Sequence, residues 1–230
     1  MLDLKSIEKA YDRVSTVAHR TPLSFAPILS QLSGYEVYLK KENLQRTGAF
    51  KIRGAFNKIA SLIEAGDRSG VVAASAGNHA QGVAFSAKYF GIEATIVMPE
   101  STPLTKVMGV KEFGANVILH GSNYDEAYAY AVKFGKENNY SFVHPFEDDE
   151  VMSGQGTVAL EIIEEMKDLD AMIVCVGGGG LISGMSVASK ALNPKCKIIG
   201  VSSAGAPAMK YSYDAKTPID TTSVRTIADG

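Results

Sequence analysis

Between residues 36 and 201, short apolar runs of β-forming residues alternate with longer stretches of helical periodicity. That alternation is the pattern of an α/β fold built on mainly parallel sheets. Strands are expected at residues 36–39, 71–74, 94–98, 116–119, 172–176 and 197–201. Helices are expected at 50–65, 79–90, 104–113, 124–138, 151–166 and 181–192, and residues 1–5 open an amphipathic N-terminal helix. In the 50–65 stretch Ile52, Ala55, Phe56, Ile59, Leu62 and Ile63 recur at helical spacing. The 71–74 and 172–176 runs carry almost no polar residues, so each is expected to be covered on both faces. The acidic cluster 146–150, preceded by Pro145, marks a domain switch and a helix start. Past Ser202 the pattern loosens, residues 211–222 have no clear period, and the chain reads as stopping part-way through a fold.

Several classes of function are excluded by composition. A length of 230 residues gives one large or two small domains and room for a substantial core. A net charge of -2, with no Lys/Arg run, offers no field for nucleic acid or anionic lipid. No apolar stretch is long enough to span a bilayer, and the N-terminus lacks the apolar core of a signal peptide. Cys175 and Cys196 each lie within or beside an apolar run, which suits buried thiols in a reducing compartment and a cytoplasmic protein.

Three elements carry chemistry. Gly177, Gly178, Gly179 and Gly180 lie between an apolar strand and a helix. Backbone N–H groups in such a loop can surround an anion, and the helix dipole adds about half a positive charge there. A merely flexible connection is the competing reading, but ordered glycines cost about a kcal/mol each in chain entropy. The P-loop pattern needs Lys-Ser or Lys-Thr after its last glycine, whereas Leu181 and Ile182 follow. The dinucleotide fingerprint fails too: its third glycine falls on Ile182 or Ser183, and no acidic residue lies between Asp170 and Asp214. A ligand with a single phosphate fits better. Lys51 stands at the start of an apolar helix beside Phe50, where partial burial would lower its pKa and make the amine a nucleophile and base. A solvated surface lysine is the ordinary alternative. The run Ser75-Ala76-Gly77-Asn78-His79 ends a buried strand, where open α/β sheets bind ligands. Ser75 and Asn78 could instead be helix caps, and His79 a packed, hydrogen-bonded histidine. The four histidines have no metal-ligand spacing, and no Ser–His–Asp arrangement is legible.

The order of these segments is more specific than any one of them. Lys41-Glu42-Asn43-Leu44-Gln45 leads into Thr47-Gly48-Ala49-Phe50-Lys51-Ile52-Arg53-Gly54-Ala55. Ser75-Ala76-Gly77-Asn78-His79-Ala80-Gln81-Gly82 follows, then Gly154-Gln155-Gly156-Thr157, then the glycine run with Leu181. The whole series resembles the fold-type II pyridoxal-phosphate enzymes, related to the tryptophan synthase β-chain, and within them the threonine dehydratase (ammonia-lyase) branch. That resemblance implies a two-domain α/β fold: a large cofactor domain from 1–69 and 148–230, incomplete at its C-terminal side, and a small domain from 70–147. It implies that Lys51 binds pyridoxal phosphate as a Schiff base and takes the α-proton, and that Phe50 packs against the cofactor ring. Asn78 would hydrogen-bond the ring's 3′ oxygen, while Gly177, Gly178, Gly179, Gly180 and Leu181 would bind the phosphate. Ser75, Ala76, Gly77, Asn78 and His79 would hold the substrate carboxylate. The implied reaction is α,β-elimination on L-threonine, and on L-serine, within amino-acid metabolism and isoleucine biosynthesis. A homo-oligomer with no metal is also implied.

Three departures qualify the resemblance. The branch usually carries Ser where this chain has Ala49, so a hydroxyl near the lysine is missing. Related serine racemases place Ser at the position of Ala76, and their metal-binding carboxylates fall near Ser202 and Ala208, neither of which can serve. The polar residue facing the pyridine nitrogen lies further along than Gly230. The alternatives are therefore a non-catalytic fragment of such an enzyme, or a serine racemase or other fold-type II enzyme.

Overall fold

The computed structural model describes residues 1–221 and 224–228. Helix α1 (Leu4–Val14) is capped by Asp3, whose side chain accepts from the Ser6 amide, and it buries Ile7, Ala10 and Val14. Strand β1 (Leu23–Phe25) pairs antiparallel with β2 (Tyr38–Lys40), joined by α2 (Pro27–Ser33). After a 3-10 turn at Glu42–Leu44 comes α3 (Lys51–Glu64).

The next stretch is a repeated strand–helix unit: β3 (Val71–Ala74), α4 (Asn78–Phe90), β4 (Ala94–Met98), α5 (Leu104–Lys111), β5 (Asn116–Leu119), α6 (Tyr124–Asn138) and β6 (Ser141–Phe142). Its four strands form one parallel sheet in the order β5-β4-β3-β6. Strand β3 is wholly buried because both faces are covered, as its unbroken apolar run predicts. Val71 and Ala73 pack with Ile96 and Met98 among the side chains of α3, α4 and α5. Val72, Ala74 and Val97 point the other way, onto Ala127 and Ala131 of α6.

The chain then continues through α7 (Asp149–Glu165), β7 (Ala171–Cys175), α8 (Gly180–Leu192), β8 (Lys197–Val201) and α9 (Ala208–Ala215). Strands β7 and β8 pair in parallel, Ala171 opposite Lys197. Here one expectation fails. Met172 and Val174 pack on α7 and α8, but Ile173 is 73% exposed and Cys175 is exposed beside it. Only one face of β7 is covered, so only Cys196 of the two thiols is buried. The other departures are small elements: β1, α2, β6 and α9 lie where no regular element is expected. Among the described residues no helix is long and apolar enough to cross a membrane.

Helix α7 is the hub of the packing, touching α1, α3 and α8. Its contacts are close because glycines face each other. A Cβ on Gly154 would lie 2.5 Å from the Arg53 carbonyl and 2.6 Å from the Gly54 Cα. On the other side a Cβ on Gly184 would overlap the Met152 carbonyl and lie 2.6 Å from the Gly156 amide. The Gly154-Gln155-Gly156-Thr157 segment therefore sets helix spacing.

Candidate active site

Lys51 opens α3, and its position is fixed by helix contacts on two sides. Gly82 of α4 lies so close that a Cβ there would come within 3.2 Å of the Lys51 carbonyl group, while Gly54 abuts α7. The amine donates to the Pro145 carbonyl at 3.0 Å and lies 5.6 Å from the centre of the Phe50 ring. Burial pushes the Lys51 amine down from 10.5 to about 8, and nearby Cys175 offsets part of that shift. A large neutral fraction near pH 8 is what a nucleophilic or basic amine requires.

The glycine run lies at the carboxyl end of β7. The ladder continues to Val176, whose amide donates to Val201 at 2.8 Å. The chain turns at Gly179 with φ +88°, a conformation that only glycine adopts readily, and α8 starts at Gly180. With glycine at the N-cap, no side chain caps the helix, so its first-turn amides have no side-chain partner there. Behind the run sits Phe146: a Cβ on Gly178 would overlap its ring, and one on Gly180 would lie 2.9 Å from its Cα. On the other side Gly177 faces open space. Leu181 and Phe50 pack on the same apolar cluster.

The Ser75–Asn78 segment joins β3 to α4. The Ser75 amide extends the ladder to Val97 at 3.1 Å, and the Ser75 hydroxyl accepts from the Gly77 amide at 3.2 Å. Helix α4 begins at Asn78 with Gly77 as an N-cap that makes no side-chain bond, so neither Ser75 nor Asn78 serves as the cap. Asn78 lies one turn before Gly82, on the face of α4 that meets Lys51. His79 takes the ordinary structural role: it is 2% exposed and its Nε2 donates to the Val143 carbonyl at 2.9 Å. Its bare Nδ1 is buried without a partner. Burial first, and the charge of Lys51 second, push it down to about 3, so the ring is neutral. Only the backbone of His79 remains to meet a ligand.

Sequence reasoning missed four participants. Pro145 and Phe146, read only as a domain switch, supply the amine's hydrogen-bond acceptor and the backing of the glycine run. Cys175 lies close enough to Lys51 to affect its charge. Arg53 is fully buried, bonded to Glu42 at 2.8 and 2.9 Å and to Glu161 at 2.7 and 3.0 Å. An arginine between Ile52 and Phe56 on an apolar helix face is the signal that could have revealed this buried ion network.

The arrangement is a buried, partly neutral amine near a glycine cradle with free helix-start amides, beside a third loop at a strand end. It can hold a mono-phosphorylated ligand and attack or deprotonate it. Comparison with known proteins agrees. Residues 14–230 match the profile of the pyridoxal-phosphate dependent enzyme family. An L-threonine ammonia-lyase of Thermotoga maritima is 50% identical over 230 residues, all of this chain and 57% of that protein. The structure of maize serine racemase superposes with TM-score 0.95 at 38% identity, covering 99% of this chain and 69% of that one. The processed threonine deaminase isoform 2 of Solanum lycopersicum superposes with TM-score 0.91 at 39% identity, covering 98% and 61%. The chain spans little more than half the length of the Thermotoga relative. Its sequence and its α/β architecture agree on one identification: the chain belongs to the pyridoxal-phosphate dependent enzymes of fold-type II.

Proposed function

We propose that this chain carries the catalytic lysine and the cofactor cradle of a threonine ammonia-lyase, which converts L-threonine to 2-oxobutanoate and ammonia, and L-serine to pyruvate and ammonia. The single observation that carries the reading is Lys51, whose buried amine is held well below the usual lysine range near a glycine run that is open on its Gly177 side. The residues fit pyridoxal phosphate: the glycine run is backed by Phe146 and open on its Gly177 side, and its donors are backbone amides suited to a phosphate. Bound there, the cofactor supplies an electron sink that makes the α-proton of an amino acid acidic.

The chain's own residues do the rest. Lys51 would hold the cofactor covalently through Nζ, and the same amine, when free, would receive the α-proton. Gly177, Gly178, Gly179, Gly180 and Leu181 would hold the phosphate through their amides, with Phe146 keeping the run in place. Phe50 would pack against the cofactor ring and Asn78 would hydrogen-bond it. The amides and short side chains of residues 75–79 hold the substrate carboxylate, His79 contributing its backbone alone. Loss of the β-hydroxyl as water gives an enamine, and one water is returned when that product hydrolyses to the oxo acid and ammonia.

Racemisation, the activity named for the maize relative, needs a second acid/base on the opposite face. Ala76 carries none, which favours elimination. We further propose a division into a large domain (1–69 and 148–230) and a small one (70–147), a cytoplasmic location, and self-association. The separate four-stranded sheet within residues 71–142 supports the division, and the apolar face of Ile173, Ile199 and Val201 supports self-association. Borohydride reduction of the chain incubated with pyridoxal phosphate is expected to fix the label on Lys51, and L-threonine to yield 2-oxobutanoate without added sulfide. Label on other lysines, or release of D-serine from L-serine in place of pyruvate, would overturn the proposal.

A further inference from the structure

We propose that His144 is a positioning residue for Lys51: it folds the turn between β6 and α7 so that the Pro145 carbonyl meets the lysine amine and the Phe146 ring backs the glycine run. The inference rests on the proposed roles of Lys51 and that run.

The turn is organised around one atom. His144 Nδ1 accepts from the Phe146 amide at 3.2 Å and from the Glu147 amide at 2.7 Å. An amide can only donate, so Nδ1 is bare and a neutral ring carries its proton on Nε2. Two amides converging on one acceptor bend the chain at Pro145, whose carbonyl is thereby free to accept from Lys51 at 3.0 Å. The ring cannot rotate out of this role. Phe146 packs edge-on against it at 4.6 Å between centroids, Tyr128 at 5.9 Å and Phe142 at 6.1 Å.

Both ends of the turn are pinned. Upstream, the Val143 amide donates to Val72 at 2.9 Å and the Val143 carbonyl accepts from His79 at 2.9 Å. Downstream, Asp148 caps α7 by accepting from Glu150 at 2.8 Å and Val151 at 3.1 Å, and it pairs with Lys58 of α3 at 2.7 Å. His144 is thus the central link of a strut from the sheet to α3, with the amine partner and the cradle backing as its two outputs. Around the ring stand Lys51 of α3, His79 of α4, Tyr128 of α6, and Glu147 and Asp148 at the start of α7. Burial, with the charge of Lys51 added, holds the imidazole below its usual range against the pull of Glu147 and Asp148, which keeps Nδ1 free to accept.

His144→Phe preserves ring packing and removes the acceptor, whereas His144→Asn keeps a short acceptor able to bond the amide two residues on. In the phenylalanine variant, affinity for pyridoxal phosphate, read from the absorbance of the lysine-bound form, is expected to fall about tenfold or more, as the loss of two amide bonds implies. Amide exchange at Phe146 and Glu147 should accelerate in parallel, and His144→Asn should recover most of both effects. Wild-type-like affinity and exchange in His144→Phe would overturn the inference, as would failure of His144→Asn to recover either. If His144→Phe does not fold, the nitrogen-15 spectrum of the unsubstituted chain decides: a bare Nδ1 supports the role and a protonated Nδ1 removes it. Unsubstituted chain that fails to take the cofactor at Lys51 would instead sink the proposed function. The exchange rates would still read the turn independently.

Discussion

Replacing Arg53 by methionine tests the ion network that anchors the segment leading to Lys51. The guanidinium is 0% exposed and every donor group is used. Nε and Nη2 fork onto Glu42; Nη1 and Nη2 fork onto Glu161; Thr157 and the His19 carbonyl accept at 3.2 and 3.3 Å. Glu161 is shared with Lys40, at 2.7 Å, and Lys40 also donates to the Thr21 carbonyl. Arg53 and Lys40 thus face Glu42 and Glu161, with Glu165 a further 3.8 Å from Lys40. Burial opposes the charge on Arg53, and its bonds to Glu42 and Glu161 outweigh that cost and raise its pKa. Methionine fills similar volume but leaves Glu42 with only the Thr21 hydroxyl and Glu161 with Lys40 alone, and breaking a buried pair in this way costs about 3–5 kcal/mol. At about 2–4 °C per kcal/mol for a chain of this size, Arg53→Met should lower Tm by about 6–20 °C. Thermal unfolding followed by circular dichroism measures this directly. Arg53→Lys, which cannot fork onto both carboxylates, should also lower Tm. Replacing Lys40, Glu42, Arg53 and Glu161 together by apolar residues of similar size should recover much of the loss, because no orphaned charge remains. A loss below about 1 kcal/mol in Arg53→Met, the range of an exposed ion pair, would refute the claim that the buried charges carry this cost.

Three further perturbations follow from named contacts. Acylation of Lys51 in the cofactor-free chain, followed by peptide mass spectrometry, should rise with a midpoint near pH 8; a rise only near 10.5 would contradict the burial argument. Because this pKa is depressed on folding, its contribution to stability is complete above about 10.5 and is lost as pH falls through about 8. Gly184→Ala would drive a Cβ into the Met152 carbonyl and should destabilise by about 1–3 kcal/mol, measurable by urea unfolding. Gly177→Ala, which meets nothing within 4 Å, should not. Gly178→Ala should weaken cofactor binding by forcing Phe146 off the run, and adding Phe146→Ala should relieve the clash; a double variant no better than the single would count against that contact.

Much of the fold was legible because its strands are apolar and its helices periodic. The bounds of β3, β4, β5, β8 and α6 agree with the sequence reading residue for residue. What escaped had no such signal. Strand β6 is two residues long, β1 is three, and neither α2 nor α9 buries a residue, so each is too short or too exposed to stand out as part of the core. The apolar run of β7 says what its two faces tolerate and not what lies against them, which is why Ile173 and Cys175 were misread. At the site, the glycine run and Lys51 were visible as local oddities. The contributions of His144, Pro145 and Phe146 were not, because they depend on a turn closed by one imidazole nitrogen and on residues almost a hundred positions away.

Helix spacing explains why these oddities converge. Gly82 lets α4 approach the backbone of Lys51; Gly54 and Gly154 bring α3 against α7; Gly156 and Gly184 bring α7 against α8. Helices α3, α4 and α8 are thereby held close together, and their first residues are Lys51, Asn78 and Gly180, the proposed base, ring contact and phosphate cradle. A side chain at any of these crossings would push a helix start away from the others, and an active site tolerates little misplacement before rate is lost. Gly154 and Gly156 therefore set the spacing of the proposed site residues without touching them. Their presence beside the lysine and loop motifs has a physical reason: the proposed base can stand near the proposed cradle only if α7 is thin where the other helices cross it.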